Sequence, residues 1–220
     1  MKSKFNSSRA QGVIAVLLAC AALAPVLQAA EKEKTIAELI RIAQSPSAHP
    51  SARVDAIEQL GAVTDADEDR KHRIIENLLE IVTKPNHLMI KAPAVKAVSK
   101  LVVNVNQPAK GKVLPALTPI LRDTKEHFIL RREVARAYQE MLDPNDLPSK
   151  DAYKVLLDIA KNKTDTQGLR GASIEAVGAF GSMDGLDVLV ALLSDPEPMI
   201  RDSAAKALFK LMARVPDATP

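Results

Sequence analysis

The stretch that decides the fold is GLDVLVALLSDPEPMIRDSAAKALFKL, residues 185–211. It divides into an apolar segment, a turn built on Asp195 and Pro196, and a second segment that opens with Ile200 and Arg201. In both segments the apolar residues recur three and four positions apart, which is the period of an amphipathic helix. The stretch therefore predicts two helices joined by a tight turn, each with one face to bury.

The same arrangement recurs along the chain at nearly regular intervals. One column of cations opens each second helix, and the residues three, seven and ten positions later are apolar or small, as one helix stripe requires. The cations lie 38, 40, 39 and 31 residues apart, which leaves room for one further helix and two turns. The column consists of Arg53, Lys91, Arg131, Arg170 and Arg201. These repeats predict an all-α fold, an α-solenoid of about five helix pairs and roughly ten helices.

The C-terminal stretch resembles the HEAT repeat family, especially the short bacterial form also found in phycobilisome-lyase-type proteins. The matching positions are Asp195, Pro196, Ile200, Arg201, Ala204, Ala205 and Leu208. The resemblance implies a HEAT-like α-solenoid over residues 31–214, followed by a short tail at 215–220. It also implies that the cation column bonds neighbouring turns, and that the concave surface binds a protein or a peptide.

The first thirty residues have the layout of a secretory signal peptide. They carry Lys2, Lys4 and Arg9 and no acid, and then the apolar run VIAVLLACAALAPVL at 13–27. This run is shorter than the roughly 20 residues that a helix needs to cross a bilayer. We therefore predict a signal peptide at 1–30 and a periplasmic or secreted mature chain without a transmembrane segment.

Cys20, the only cysteine, leaves an alternative open. Leu17, Leu18, Ala19 and Cys20 resemble the lipobox of bacterial lipoproteins, in which the cysteine is lipidated and becomes the mature N-terminus. Ordinary cleavage near residue 30 would instead remove Cys20. The alternative localisation is therefore an outer-membrane lipoprotein with a lipid anchor at Cys20. In neither case can the domain depend on disulfides.

Composition narrows the range of partners. The leader holds three of the 30 bases and none of the 27 acids, so the remaining chain carries 27 of each and is neutral. Neutrality does not favour nucleic acid as a partner. The chain has no Trp, two Tyr and four Phe, so it lacks the aromatic platforms on which single-stranded nucleic acids stack. We predict no nucleic-acid partner.

Motifs for catalysis or metal binding are missing from the sequence. Asp65, Asp67, Asp69 and Glu76 have the spacing of a calcium loop, but Arg70 stands where that loop requires glycine. This acidic cluster is expected to face the positive end of the following helix. The histidines show no HxH or HExxH spacing, and no GxSxG elbow exists. We therefore predict no catalytic residue, no cofactor and no metal.

Positive charge is concentrated in one part of the chain. Residues 81–122 hold seven bases and no acid. Lys96 and Lys100 are four residues apart and share a helix face, as do Arg132 and Arg136. Lys96 and Arg136 also occupy the same repeat position, so stacking should bring them side by side. We predict that these four residues form a partner-binding patch for a protein or peptide of anionic character.

Together these observations predict an exported, non-enzymatic scaffold that holds a protein or peptide partner. A solenoid offers a long surface without a deep pocket where several catalytic groups converge. Two alternatives stay open. One is a chromophore lyase or isomerase, which the resemblance to lyase-type repeats implies. The other is a structural envelope lipoprotein anchored through Cys20.

Overall fold

The computed structural model describes most of the chain, namely residues 30–63, 67–103, 107–143, 145 and 147–214, without the side chains of 107–110. These residues contain α-helices, short turns and no β-strand, which confirms the all-α prediction. The predicted signal peptide up to residue 29, with Cys20, lies outside the described residues. The predicted tail at 215–220 also lies outside them, so both stay predictions, as do the predicted domain boundaries.

The described chain contains ten α-helices, in the predicted order of five pairs. They are α1 (30–44), α2 (Pro50–Gly61), α3 (Glu68–Thr83), α4 (Leu88–Val102), α5 (Gln107–Arg122), α6 (Phe128–Met141), α7 (Leu147–Lys161), α8 (Gln167–Phe180), α9 (Leu186–Leu192) and α10 (Pro198–Arg214). A single 3-10 turn, Met183–Gly185, precedes α9. None of the described helices is both long and apolar enough to span a bilayer.

Polar caps determine where several helices begin. Nδ1 of His49, His87 and His127 accepts a backbone N–H from the residue two positions later, at 3.2–3.3 Å. Asp67 caps α3, because its Oδ1 accepts the backbone N–H of Arg70 at 2.9 Å. Each cap satisfies one of the N–H groups that a helix start leaves unpaired. The three histidines at helix starts therefore have a structural role.

The helices stack in two layers, with the even-numbered helices in one and the odd-numbered helices in the other. Even-numbered neighbours contact each other more extensively than odd-numbered neighbours do. Glycine permits the closest approaches: a Cβ on Gly178 would lie 2.4 Å from the Cα of Ala207, and one on Gly61 would lie 2.7 Å from the Cβ of Ala97. Closer spacing on one side bends a stack toward that side. The even-numbered helices therefore line the inner, concave surface.

One continuous apolar core lies between the two layers. Tyr138 of α6 is fully buried in it, and its hydroxyl lies 2.9 Å from Oγ1 of Thr118. Burial raises the pKa of the Tyr138 phenol well above its usual value, so the group is neutral. Because each helix pair covers the core of the next, the repeats depend on one another for stability.

The cation column links each repeat to the next one. In each of the first four repeats, the side chain of the column residue donates to a polar side chain in the turn of the following repeat. The four links are Arg53–Asn86, Lys91–Glu126, Arg131–Asp165 and Arg170–Asp195, at 2.9, 3.1, 2.8 and 2.8 Å. Nε of the three arginines also donates to a backbone carbonyl ten residues earlier. The column therefore stabilises the stack from within, as the resemblance implied.

Candidate functional site

The basic segment at 81–122 is largely neutralised by acids from neighbouring elements. Four of its cations form ion pairs with carboxylates outside the segment. These pairs are Lys84–Glu80, Lys91–Glu126, Lys112–Glu76 and Arg122–Asp151. The run of like charge in the sequence is therefore not a run of free charge in the fold.

Lys96 and Lys100 differ from the other described cations of this segment. Both are exposed on α4, and neither ammonium group has a partner among the residues that the structure describes. They line a cavity of about 260 Å³ whose other walls are Glu58, Gly61, Pro93 and Ala97. We call this cavity the basic cleft. It contains two lysines and one carboxylate, so its net charge is positive.

The basic cleft forms where α2 and α4 approach closely. Gly61 has no side chain to keep the two helices apart, and its backbone packs against Ala97. Pro93 forms one wall, and its ring nitrogen cannot donate a helical hydrogen bond to the carbonyl four residues earlier. Small and rigid residues thus shape the floor of the cleft, while the two long lysines form its rim.

The other two predicted patch residues, Arg132 and Arg136 on α6, are already paired. Both guanidinium groups bond Oε1 of Glu133, Arg132 through Nη2 and Arg136 through Nη1, each at 3.1 Å. Glu133 was not considered in the sequence-based patch. Its charge leaves less free positive charge on α6 than on α4, where Lys96 and Lys100 are unpaired.

Acidic residues flank this positive region on both sides. Glu58 and Glu175 occupy, in the first and fourth repeats, the position that Lys96 and Arg136 hold in the second and third. Glu58 lies in the basic cleft itself. Glu175 accepts hydrogen bonds from Gln139 at 3.3 Å and from Ser203 at 3.4 Å. Of the four predicted patch residues, Lys96 and Lys100 are therefore the two that have no partner in the described chain.

A second cavity, of about 480 Å³, adjoins the basic cleft and shares Gly61 and Lys100 with it. Its remaining walls are Ala62, Val63, Lys71, Leu101 and Val103. We call it the Lys71 cavity. Sequence reasoning missed Lys71, although a signal was present. This lysine stands three and four residues before Ile74 and Ile75, on the buried stripe of α3 where an apolar residue is expected.

A third cavity, of about 460 Å³, lies beside α7 and contains the aromatic pair Tyr153 and Phe180. Their rings stack with centroids 4.3 Å apart. Burial raises the pKa of the Tyr153 phenol to about 12, so the group is protonated near neutral pH.

Within the part of the chain that the structure describes, no three His, Cys, Asp or Glu side chains come together in a way that could hold a metal ion. Two members of the acidic cluster have partners within the fold. Asp67 caps α3, as described above, and Glu76 pairs with Lys112 of α5 at 2.6 Å. Asp65 lies outside the described residues.

The paired helices and the cation links define the class of this protein. Residues 153–220 match the family described as HEAT repeats, and the fold of the described chain is an all-α solenoid of HEAT-like helix pairs. A likeness in fold extends further along the chain. The CpcE–CpcF complex of phycocyanin lyase from Nostoc sp. PCC7120 aligns with a TM-score of 0.59 and 20% identity, over 80% of this chain and 64% of that one.

Curated relatives match shorter parts of the chain. Deoxyhypusine hydroxylase of Neosartorya fischeri is 28% identical over 122 residues, which is 55% of this chain and 34% of the relative. Deoxyhypusine hydroxylase of Candida albicans is 31% identical over 80 residues, which is 36% of this chain and 23% of the relative. A lysine–tRNA ligase of Synechococcus sp. is 34% identical over 106 residues, 46% of this chain and 21% of the ligase. The chain thus spans about a third or less of these relatives.

These relatives contradict the prediction of a non-enzymatic scaffold. The curated proteins that match have the names of enzymes. The prediction that the chain is not an enzyme was based on the absence of catalytic motifs. Such motifs detect only active sites whose residues lie at fixed, short distances along the sequence. Groups that come together from several repeats leave no such spacing in the sequence.

Proposed function

We propose that this chain is an enzyme, or a subunit of one, that acts on a protein and holds an anionic segment of that protein in the basic cleft. The relatives, which have the names of enzymes, support an enzymatic function. The binding of an anionic segment in the basic cleft rests on one observation, the unpaired state of Lys96 and Lys100. Exposed cations without internal partners are free to bind an external anion.

The form of the basic cleft favours a polypeptide segment over an enclosed small molecule. Its volume of about 260 Å³ is below the roughly 300 to 1,000 Å³ of pockets that surround a small ligand. It also opens on the concave surface, where HEAT-like repeats present long contact areas. A segment that lies along this surface would have one part in the cleft and the rest on neighbouring repeats.

The spacing of the two lysines specifies the segment further. Residues four apart on a helix are separated by about 6 Å along its axis. In an extended strand, residues two apart point the same way and are about 6.6 Å apart. An extended segment with acidic residues at alternate positions therefore places its carboxylates at the spacing of Lys96 and Lys100.

The proposed reaction is tested by intact-protein mass spectrometry of native extracts from cells with and without the gene. We expect at least one protein to change mass when the gene is deleted and to regain its mass when the gene is restored. A hydroxylation like that named for the relatives would add one oxygen atom. Identical protein masses in both strains, at full coverage of the expressed proteins, would argue against an enzymatic function.

The role of the basic cleft is tested by restoring the gene with Lys96→Glu and Lys100→Glu together. We expect the modified mass to be lost, because the charge reversal repels an anionic segment. The matched control is Lys150→Glu with Lys154→Glu, two exposed lysines four residues apart on α7. It changes the net charge equally, and we expect it to leave the modification intact. Equal modification with both variants would contradict the proposed cleft.

We also infer that the protein works outside the cytoplasm, because its N-terminus has the layout of a signal peptide. The mass of the native protein distinguishes the two forms of export. Cleavage near residue 30 predicts an unmodified chain that begins close to Glu31. A lipid mass on Cys20, abolished by Cys20→Ser, would instead identify a lipoprotein. A native mass that retains the unmodified leader would contradict export.

A further inference from the structure

Lys71 is a charged residue in a place that an apolar residue normally fills. It retains only 9% of its surface, and its ammonium group has no partner among the residues described. The stem of the side chain is buried, while Nζ keeps contact with the space of the Lys71 cavity. An ammonium group that reaches a cavity without a partner in the described chain is free to bind an anion from outside.

The walls of the Lys71 cavity indicate what kind of anion it accepts. Lys71 and Lys100 supply two positive charges, and no acidic residue lines the cavity among the residues that the structure describes. Ala62, Val63, Leu101 and Val103 form an apolar surface beside them. A ligand that fits such a site has a strongly charged end and an apolar body.

Two lysines without an acid among the described walls favour a phosphate monoester over a carboxylate, which carries only one negative charge. Each ammonium group binds as a point charge and neutralises one negative charge. A phosphate monoester carries a charge of about −1.5 to −2 near neutral pH, which two ammonium groups neutralise. We propose that the Lys71 cavity binds a phosphate monoester attached to an apolar group. This goes beyond the proposed function, since Lys71 does not line the basic cleft and no reaction is required.

Calorimetric titration of the purified chain with phenyl phosphate tests the proposal. We expect one ligand to bind per chain, and to bind more tightly than inorganic phosphate, which lacks the apolar body, or benzoate, which lacks the second charge. Lys71→Met retains the length of the side chain and removes the charge, so it should weaken binding by about tenfold or more. Lys100→Met should also weaken it.

Two matched variants separate this cavity from the basic cleft and from general charge effects. Lys96→Met removes a lysine of the cleft that does not line the Lys71 cavity, and Lys154→Met removes a remote exposed lysine. We expect both to bind phenyl phosphate like the unaltered chain. Loss of binding with Lys96→Met but not with Lys71→Met would overturn the proposal. Binding of benzoate as tight as that of phenyl phosphate would overturn the choice of ligand.

Thermal unfolding without ligand gives a second, independent measurement. Because Lys71→Met keeps the buried apolar stem and removes a charge that has no partner in the described chain, it should not lower the melting temperature of the free chain. Phenyl phosphate should raise the melting temperature of the unaltered chain and leave that of Lys71→Met unchanged. A Lys71→Met chain that melts at a lower temperature would mean that the ammonium group already has a partner within the fold, which would overturn the inference.

Discussion

The two ends of the solenoid differ in whether certain charged side chains have a partner of opposite charge within the fold. Near α8 and α10, Arg170 and Asp195 are both buried and lie 2.8 Å apart. Near α2 and α4, Lys71, Lys96 and Lys100 have no partner among the described residues. A buried charge is tolerated when a partner of opposite charge accompanies it. The charge buried at the first of these ends, the paired end, is therefore balanced within the fold, whereas the lysines at the other end, the unpaired end, are available to an anion from outside.

The family match follows the same division. Residues 153–220, which match the HEAT repeats, contain both members of the Arg170–Asp195 pair. The lysines of the α2–α4 region lie outside that range. The matched range thus contains one of the four cation links that hold the stack together.

The largest loss in the free energy of unfolding is expected when the buried pair at the paired end is broken. Arg170→Met leaves the Asp195 carboxylate buried without its guanidinium partner, which should lower the free energy of unfolding by about 3–5 kcal/mol. Urea denaturation followed by circular dichroism measures this loss. The double variant Arg170→Met with Asp195→Asn removes both charges, and we expect it to lose less than the sum of the single variants. Additive losses would mean that the two side chains do not stabilise each other.

Acid should remove the contribution of the same pair without mutation. The hydrogen bond from Arg170 holds the pKa of the Asp195 carboxyl below its ordinary 3.8, with help from the backbone N–H of Glu197. A carboxyl whose pKa is lower in the folded state stabilises the fold above its unfolded pKa. That stabilisation is lost as the pH falls through the folded pKa. The stability difference between the unaltered chain and Arg170→Met should therefore shrink below about pH 4. Denaturation curves across that range would refute this if the difference stayed constant.

A smaller effect is expected from the close approach of α8 and α10. In Gly178→Ala the new methyl group would lie 2.5 Å from the backbone oxygen of Ala207, so the two helices must move apart. We expect a loss of about 1–3 kcal/mol in the free energy of unfolding. Gly111 on α5 is the matched control, because a Cβ there meets nothing within 4 Å. Gly111→Ala should instead stabilise the chain by about 0.5–1 kcal/mol, and equal effects at the two sites would contradict the close packing.

The sequence was sufficient for the fold because the signals that define it are local. The apolar stripe of each helix and the cation that opens each second helix recur at fixed spacing, and both were confirmed. The state of each charge was not accessible in the same way. Arg122 pairs with Asp151, 29 residues away, and Lys112 pairs with Glu76, 36 residues away. Stacking of the repeats brings such residues together, and the charge composition of a single segment cannot reveal these pairs.

The patch residues illustrate the same limit. The spacing of Lys96 with Lys100 and of Arg132 with Arg136 is equivalent in sequence, yet the second pair bonds Glu133. Lys71 escaped attention because one cation at the start of a helix stripe resembles an ordinary boundary of that stripe. The prediction of a non-enzymatic scaffold was wrong for a related reason. Local motifs report on chemistry within one segment, and they do not report on groups that several repeats contribute.

The smallest change in the free energy of unfolding is expected at the unpaired end, and it would show most clearly whether the lysines there are free. Lys96→Gln with Lys100→Gln removes two exposed charges that have no partner in the described chain, so the free energy of unfolding should change by no more than about 0.5 kcal/mol. Lys91→Gln, on the same helix, is the control, because Lys91 pairs with Glu126 at 3.1 Å and is largely buried. It should cost about 1–3 kcal/mol. If the double variant loses as much stability as Lys91→Gln, the lysines of the basic cleft hold the fold together and are not free to bind a partner.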